Sequence, residues 1–257
     1  EWLVNAGIIK KGLMYKYFKF VELNLYNAFD FIGIESIADI DYFNQYIANE
    51  KIEVLDNWGS PLYFNDDGLG EPLINRDKVN IVYGGNMGVA QDLLSLIKLI
   101  DFSLLDNKAI LTIFGEGEQK SDVKRFIKNL NIDSIVLLPP VNRETYMSII
   151  SSADIGLFSL NKRLKSNNYP LKMLGYMQMS LPILASVSKT NEIFNLIINK
   201  NVGLVSAAGD AEDFNRNLMN LVNDKKLRNS LGSNSFDLFN DRFTVKKAVE
   251  KICNRLQ

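Results

Sequence analysis

Three glycines stand close together in Tyr83-Gly84-Gly85-Asn86-Met87-Gly88. Glycine tolerates positive φ and lets a backbone come close to a ligand. If a strand ends here and a helix begins, the helix's unpaired N–H groups and positive dipole end would seat a diphosphate. A tight turn that needs glycine for geometry alone would look the same. The segment matches neither the dinucleotide fingerprint nor the phosphate loop that ends in Gly-Lys-Ser/Thr.

Three more segments could do chemistry. Phe114-Gly115-Glu116-Gly117-Glu118 is a glycine turn with two acids, which are either solvated or at a ligand. Pro139-Pro140-Val141-Asn142 is held extended by its prolines, and its backbone amides could pair with a base edge. Between Ser159 and Met173, the cations Lys162, Arg163 and Lys165 share a polar loop with Ser166, Asn167 and Asn168, and Tyr169-Pro170-Leu171-Lys172 then opens a helix. Lysine near a helix N-terminus opposes the macrodipole. The placement makes sense if an anion lies there; a solvated basic loop is the alternative.

Composition removes several chemistries. The 257 residues contain no histidine, so no His-based triad, His-metal site or His general base exists within the chain. The single cysteine, Cys253, allows no internal disulfide and no zinc-ligand cluster, and reads as a helix-face residue. Lys and Arg number 29 against 30 Asp and Glu, which argues against general nucleic-acid binding. Hydrophobic residues make up 47%, enough for a sizeable core. No apolar run reaches the roughly 18–20 residues that span a bilayer. The opening Glu1-Trp2-Leu3 reads as the middle of a longer chain.

The elements that must position these segments follow from periodicity. Residues 13–28 read as a helix with Met14, Phe18, Val21 and Leu25 along it. Strands at 31–34 and 51–55 enclose a helix at 38–49 with Tyr42, Tyr46 and Ile47 on one face. Residues 63–77 are polar, Gly- and Pro-punctuated and unperiodic, the pattern of a linker. Strands and helices then alternate. Strands fall at 80–83, 109–114, 135–138, 155–158, 183–185 and 203–205. Helices fall at 89–100, 121–130, 143–152, 171–179 and 191–199, with more helix to the end. Continuous apolar strands alternating with helices predict an α/β, doubly wound parallel sheet, with ligands outside the carboxyl ends of its strands. The organisation expected is an N-terminal unit (1–60), a linker (61–78), a nucleotide-binding domain (79–238) and a C-terminal helix returning to the first unit (239–257).

The order of motifs resembles a family. The strand–GGNMG loop, FGEGEQ, PPV before a helix ending in Ala153-Asp154, Pro170-x-Lys172 with Tyr176-Met177, and Leu181-Pro182-Ile183-Leu184-Ala185-Ser186 are similar to the C-terminal domain of a family-four retaining glycosyltransferase of glycosyl transferases group 1. The branch resembled is that of fucosamine-transferase-like bacterial polysaccharide enzymes, over residues 1–257. The resemblance implies a GT-B fold with a Rossmann-like C-terminal domain and the tail of an acceptor domain, whose N-terminal part is missing. It implies a nucleotide-sugar donor, UDP-linked, and a lipid-linked or saccharide acceptor. No metal or other cofactor is implied, and the location is cytoplasmic, at the inner face of the membrane. Gly85, Asn86, Met87 and Gly88 would lie against the diphosphate. Gly115 and Glu116 would line the nucleotide pocket, and Val141 would meet the base through its backbone. Pro170, Lys172 and Met173 would place the lysine on the phosphates as the catalytic cation, and Glu192 would be a sugar contact or a helix-dipole acid. The isolated fragment would be inactive in transfer.

Departures from the pattern keep two other readings open, a non-catalytic partner protein on the same scaffold and a sugar-nucleotide epimerase. Asn167 and Gly175 occupy the positions of a glutamate pair found in many members, and Gln178 and Ser180 replace the usual Ala and Gly. Gln91 and Asp92 lie where an Arg/Lys pair is common. Residues 11–20 interleave Tyr15, Tyr17, Phe18 and Phe20 with Lys11, Lys16 and Lys19, a pattern that fits a membrane-interface face or a helix packed inside the acceptor domain.

Overall fold

The computed structural model describes residues 9–59, 77–164 and 169–255, together with Val4, Asn75 and Asn167. Most of the stretch read as a linker, and Lys165, Ser166 and Asn168 of the basic loop, lie outside the described residues.

The chain first forms a small unit: α1 (Leu13–Ala28), β1 (Ile32–Ile34), the single helical turn α2 (Ile40–Phe43) and β2 (Ile52–Val54). β1 and β2 pair in parallel, with Ile32 opposite Ile52 and Ile34 opposite Val54. Among the described residues its buried apolar centre is Ile34, Ile47 and Ile52. The larger unit alternates β3 (Val79–Gly84), α3 (Leu93–Leu99), β4 (Ala109–Phe114), α4 (Lys120–Leu130), β5 (Ile135–Leu138), α5 (Arg143–Ser151), β6 (Ile155–Ser159), α6 (Leu171–Gln178), β7 (Ile183–Val187), α7 (Glu192–Asn199) and β8 (Gly203–Ala207). Three helices follow: α8 (Ala211–Asn223), α9 (Lys225–Arg242) and α10 (Val245–Arg255).

Six strands make one parallel sheet in the order β5-β4-β3-β6-β7-β8. β6 and β7 are buried at every residue, so the apolar runs are continuous because both faces are covered by helices. Side-chain oxygens of Asn142, Asn191, Asp210 and Asp224 accept backbone N–H bonds at the starts of α5, α7, α8 and α9, which fixes where each helix begins. Chain order reverses between β3 and β6, and the crevice at such a switch point is where this architecture receives ligands.

One expectation for the small unit changes. The helix expected at 38–49 is a 3-10 turn at Ile37–Asp39 followed by α2 alone. Tyr42 and Tyr46 instead meet edge to face and receive Lys19, whose Nζ lies 4.0 Å from the Tyr46 ring centre. Lys19 also donates to the Tyr42 hydroxyl at 2.8 Å, and Tyr26 packs on Phe43. The inward face of α1 is therefore Lys19, Glu22 and Tyr26, while Met14, Phe18 and Leu25 are 68%, 60% and 51% exposed. Period 3.6 defines a helix; a cation with two rings to cover it decided which side turns in.

A polar seam joins the two units. Asp56, 6% exposed, accepts from Arg242 at 3.0 and 2.6 Å and from Lys251 at 3.0 Å. Arg255 reaches Glu53 at 2.8 Å, so α10 is fastened along β2. Gly59 donates to the Phe243 carbonyl, and Val245 donates to the Gly59 carbonyl.

Candidate functional site

A cavity of about 680 Å³ opens at the carboxyl ends of the strands, beside the switch point. Gly84, Gly85 and Asn86 line it after β3, Arg143 and Tyr146 from α5, and Pro170, Leu171, Lys172 and Gly175 from α6. The small unit closes it with Glu35 and Asn57-Trp58-Gly59. Asn57 donates to the Tyr169 carbonyl at 3.3 Å, and the Tyr169 amide donates to Glu35 at 3.3 Å, so the wall spans both units.

Lys172 is the notable group. Its Nζ is buried and has no hydrogen-bond partner among the described residues. It lies 3.7 Å from the centre of the Tyr83 ring, whose hydroxyl donates to the Asn86 carbonyl and so holds the glycine turn in place. Burial pulls the ammonium down to about 7, because the charged form has lost its water. Gly85 keeps the approach open: at φ +117°, any Cβ there would stand 3.6 Å from Lys172 Cε. Lys172 is also in the first turn of α6, whose N-cap, Pro170, makes no side-chain capping bond. The first turn of a helix carries unpaired N–H groups and a partial positive charge. Cation and helix end together could seat an anion.

The loop after β3 does not run straight into a helix. The helix after β3 begins only at Leu93, with Asp92 at its N-cap, and is seven residues long. The amides of Gly85 and Met87 are spent on the carbonyls of Phe114 and Glu116. The loop after β3 thus packs on the loop after β4 so tightly that a Cβ at Gly115 would lie 1.9 Å from the Gly85 oxygen.

Of the residues singled out in the sequence, Gly85, Asn86, Pro170 and Lys172 come together in this cavity. Gly84, Tyr169 and Leu171 of the same motifs line it too, as do Gln91, Gly175 and Gln178 from the departures; the other candidate donor residues stand outside its lining. Met87 and Met173 are fully buried core side chains. Gly88 faces the Asn86 and Gln91 side chains. Glu116 is exposed and paired with Lys120, and Val141 packs on the cluster around Phe114 and Ile149. Glu192 accepts from the Ser36 and Tyr169 hydroxyls, and its backbone N–H donates to Asn167, which in turn donates to Asp39 at 3.0 Å. Burial raises Asp39 above the usual carboxylate range, with Asn167 opposing and the nearby Glu192 charge adding. Both residues therefore serve the seam. Sequence reasoning missed Arg143 and Tyr146; their signal was a helix start directly after Pro139-Pro140-Val141-Asn142.

Tyr176 ties the switch point together from beneath. Its hydroxyl accepts from the Gly84 amide at 3.1 Å and donates to the Leu157 carbonyl at 3.2 Å, bridging β3 and β6. Among the described residues no cluster of His, Cys, Asp and Glu could hold a metal ion, and no helix is long and apolar enough to cross a membrane.

Residues 70–237 match the family described as glycosyl transferases group 1. An uncharacterized glycosyltransferase of Methanocaldococcus jannaschii is 23% identical over 262 aligned positions, covering 96% of this chain and 64% of that protein. A TarM mutant of S. aureus, solved with Fondaparinux, alpha-GlcNAc-glycerol and UDP, superposes with a TM-score of 0.70 at 18% identity, over 93% of this chain and 46% of that one. Anabaena HepE in complex with UDP and glucose gives 0.72 at 13% identity, over 92% and 65%. The chain thus spans under two thirds of the length of each. Its α/β, Rossmann-like fold is that of GT-B glycosyltransferases.

Proposed function

The chain belongs to the glycosyl transferases group 1 family, and from that premise we propose that it carries the donor site of a glycosyltransferase. The donor is a nucleoside-diphosphate sugar, UDP-linked, and the acceptor a saccharide or lipid-linked saccharide of a surface polysaccharide. The observation that carries this reading is Lys172, a buried cation with no hydrogen-bond partner among the described residues, in the first turn of a helix that opens onto a cavity of about 680 Å³. Such a charge is costly unless something anionic completes it. As the bond between sugar and diphosphate breaks, negative charge grows on the leaving phosphate. Lys172 and the Leu171 and Lys172 amides at the start of α6 would hold that charge, since fixed donors aimed at developing charge stabilise it. Retention of configuration and independence from metal belong to the same proposal. UDP in the TarM and HepE complexes supports the choice of base. The small unit would be the end of the acceptor domain, so the chain alone is expected to bind donor without transferring sugar.

The first test is a thermal-shift panel with UDP, GDP, ADP and TDP in EDTA. A ligand at about a hundred times its dissociation constant stabilises the native state by roughly 2.7 kcal/mol. A shift with UDP that disappears in Lys172→Ala is expected. No shift with any of the four would overturn the donor-site reading. A shift without transfer by the longer protein would favour a non-catalytic scaffold, which the use of Asn167 in the seam supports. Conversion of free UDP-sugar without acceptor would mark an epimerase.

Peripheral contact with an anionic membrane is a further part of the proposal. The outward side of α1 exposes Leu13, Met14, Tyr17, Phe18 and Phe20, with Lys11 and Lys16 beside them. Lys19 is turned inward onto Tyr46 and takes no part. Sedimentation with vesicles containing phosphatidylserine should fall on Lys16→Glu; no sedimentation of the wild type would end this idea.

A further inference from the structure

A second polar group reaches the cavity, the hydroxyl of Tyr146 from α5. Its ring is locked. Phe114 meets it edge to face at 5.5 Å, and Tyr146 Cε2 lies 2.5 Å from where a Cβ on Gly84 would be. Only a glycine at 84 lets the ring lie there. The hydroxyl is thereby carried to α6, 3.5 Å from where a Cβ on Gly175 would stand. Glycine at 175 leaves that stretch of helix face bare, so the phenol takes the place beside it.

Lys172 and Gly175 are three residues apart on one helix. Such neighbours share a face with Cβ positions about 5–6 Å apart. The wall therefore presents a cation, then one turn further on a neutral hydroxyl. Burial pushes the Tyr146 phenol up to about 12, so it keeps its proton and can donate as well as accept. A ligand matching this wall has an anionic group joined through a short arm to hydroxyl groups, and a ribonucleoside diphosphate has that order.

We propose that Tyr146 is a specificity-determining residue whose hydroxyl reads the ribose hydroxyls of the nucleotide held by Lys172. This rests on the donor-site reading above. It assigns recognition of the sugar ring of the nucleotide to α5 in a chain where position 175 offers no side chain.

Calorimetric titration of the chain with UDP, 2′,3′-dideoxy-UDP and inorganic pyrophosphate separates the two claims. Tyr146→Phe keeps the ring and its packing on Phe114; an unchanged melting temperature confirms that. The variant should bind UDP about 5- to 10-fold more weakly, the range for one lost hydrogen bond. Its affinity for dideoxy-UDP and for pyrophosphate should equal that of the wild type, and wild type should discriminate UDP from dideoxy-UDP more strongly than the variant does. Unchanged UDP binding, or an equal loss for all three probes, would overturn the inference while leaving the donor site standing. If wild type binds neither UDP nor pyrophosphate, the donor-site reading itself falls and takes this inference with it. Pyrophosphate binding abolished by Lys172→Ala but untouched by Tyr146→Phe would mark the two subsites as distinct.

Discussion

Arg242 and Lys172 are two cations drawn in from solvent, one at the seam and one in the cavity, and the protein treats them in opposite ways. At the seam between the units, Arg242 is met by Asp56 and lies 5.2 Å from the centre of the Tyr169 ring. Its hydrogen bonds hold it above its ordinary value although burial opposes them. In the cavity Lys172 has an aromatic ring beneath it and no carboxylate near enough to pair. Structural charge is neutralised inside the fold. In the cavity the charge has no hydrogen-bond partner among the described residues, a mark of a candidate site.

The largest expected effect comes from exchanging these roles. Asp56→Ala removes the acceptor shared by Arg242 and Lys251 and should cost about 3 kcal/mol in denaturant unfolding, as for other broken buried pairs. Lys172→Met should leave stability unchanged or raise it by about 1 kcal/mol, because a buried charge without a partner is exchanged for an apolar chain of similar length. Equal destabilisation by both would mean that Lys172 is part of the scaffold.

Titration sharpens the contrast. Lys172 stands near 7 in the ligand-free fold, against 10.5 for the ordinary lysine value. Between those values the unfolded chain binds the extra proton, so the contribution of this group to stability rises with pH through that window. Wild type should therefore gain on Lys172→Met between pH 7 and 9, on the order of 1 kcal/mol per pH unit. Diphosphate affinity should fall over the same range, since the bound anion needs the protonated amine. A flat difference between the two proteins would show that the amine is charged throughout.

The smallest expected effect concerns Gly175. A Cβ there meets only ordinary contacts, the nearest being the Tyr146 hydroxyl at 3.5 Å. Gly175→Ala should raise stability by about 0.5–1 kcal/mol through helix propensity. Thermal melts of Gly175→Ala beside Gly156→Ala check this. The second should destabilise, because its Cβ would fall 2.4 Å from the Tyr176 ring.

Much of the fold was legible in the chain. The alternating apolar runs from Ile81 to Val205 and the asparagine and aspartate caps specify strands and helices locally, and the absence of histidine excludes whole reaction classes outright. The placing of Lys172 in the first turn of a helix was also legible, because Tyr169-Pro170 marks where that helix starts. Other features depended on parts of the chain far apart in sequence. The face of α1 that turns inward was decided by Tyr42 and Tyr46 meeting Lys19. The Gly85 and Met87 amides were claimed by the loop after β4, a pairing that no local pattern announces. Tyr146 reached the cavity because Gly84 and Gly175, ninety-one positions apart, both lack a side chain. Sequence by itself determined periodicity, caps and the inventory of reactive groups, since these follow from each residue and its immediate neighbours. Only the tertiary structure decided which charges are paired and which are left open, because burial and the distance to a partner are properties of segments brought together by folding.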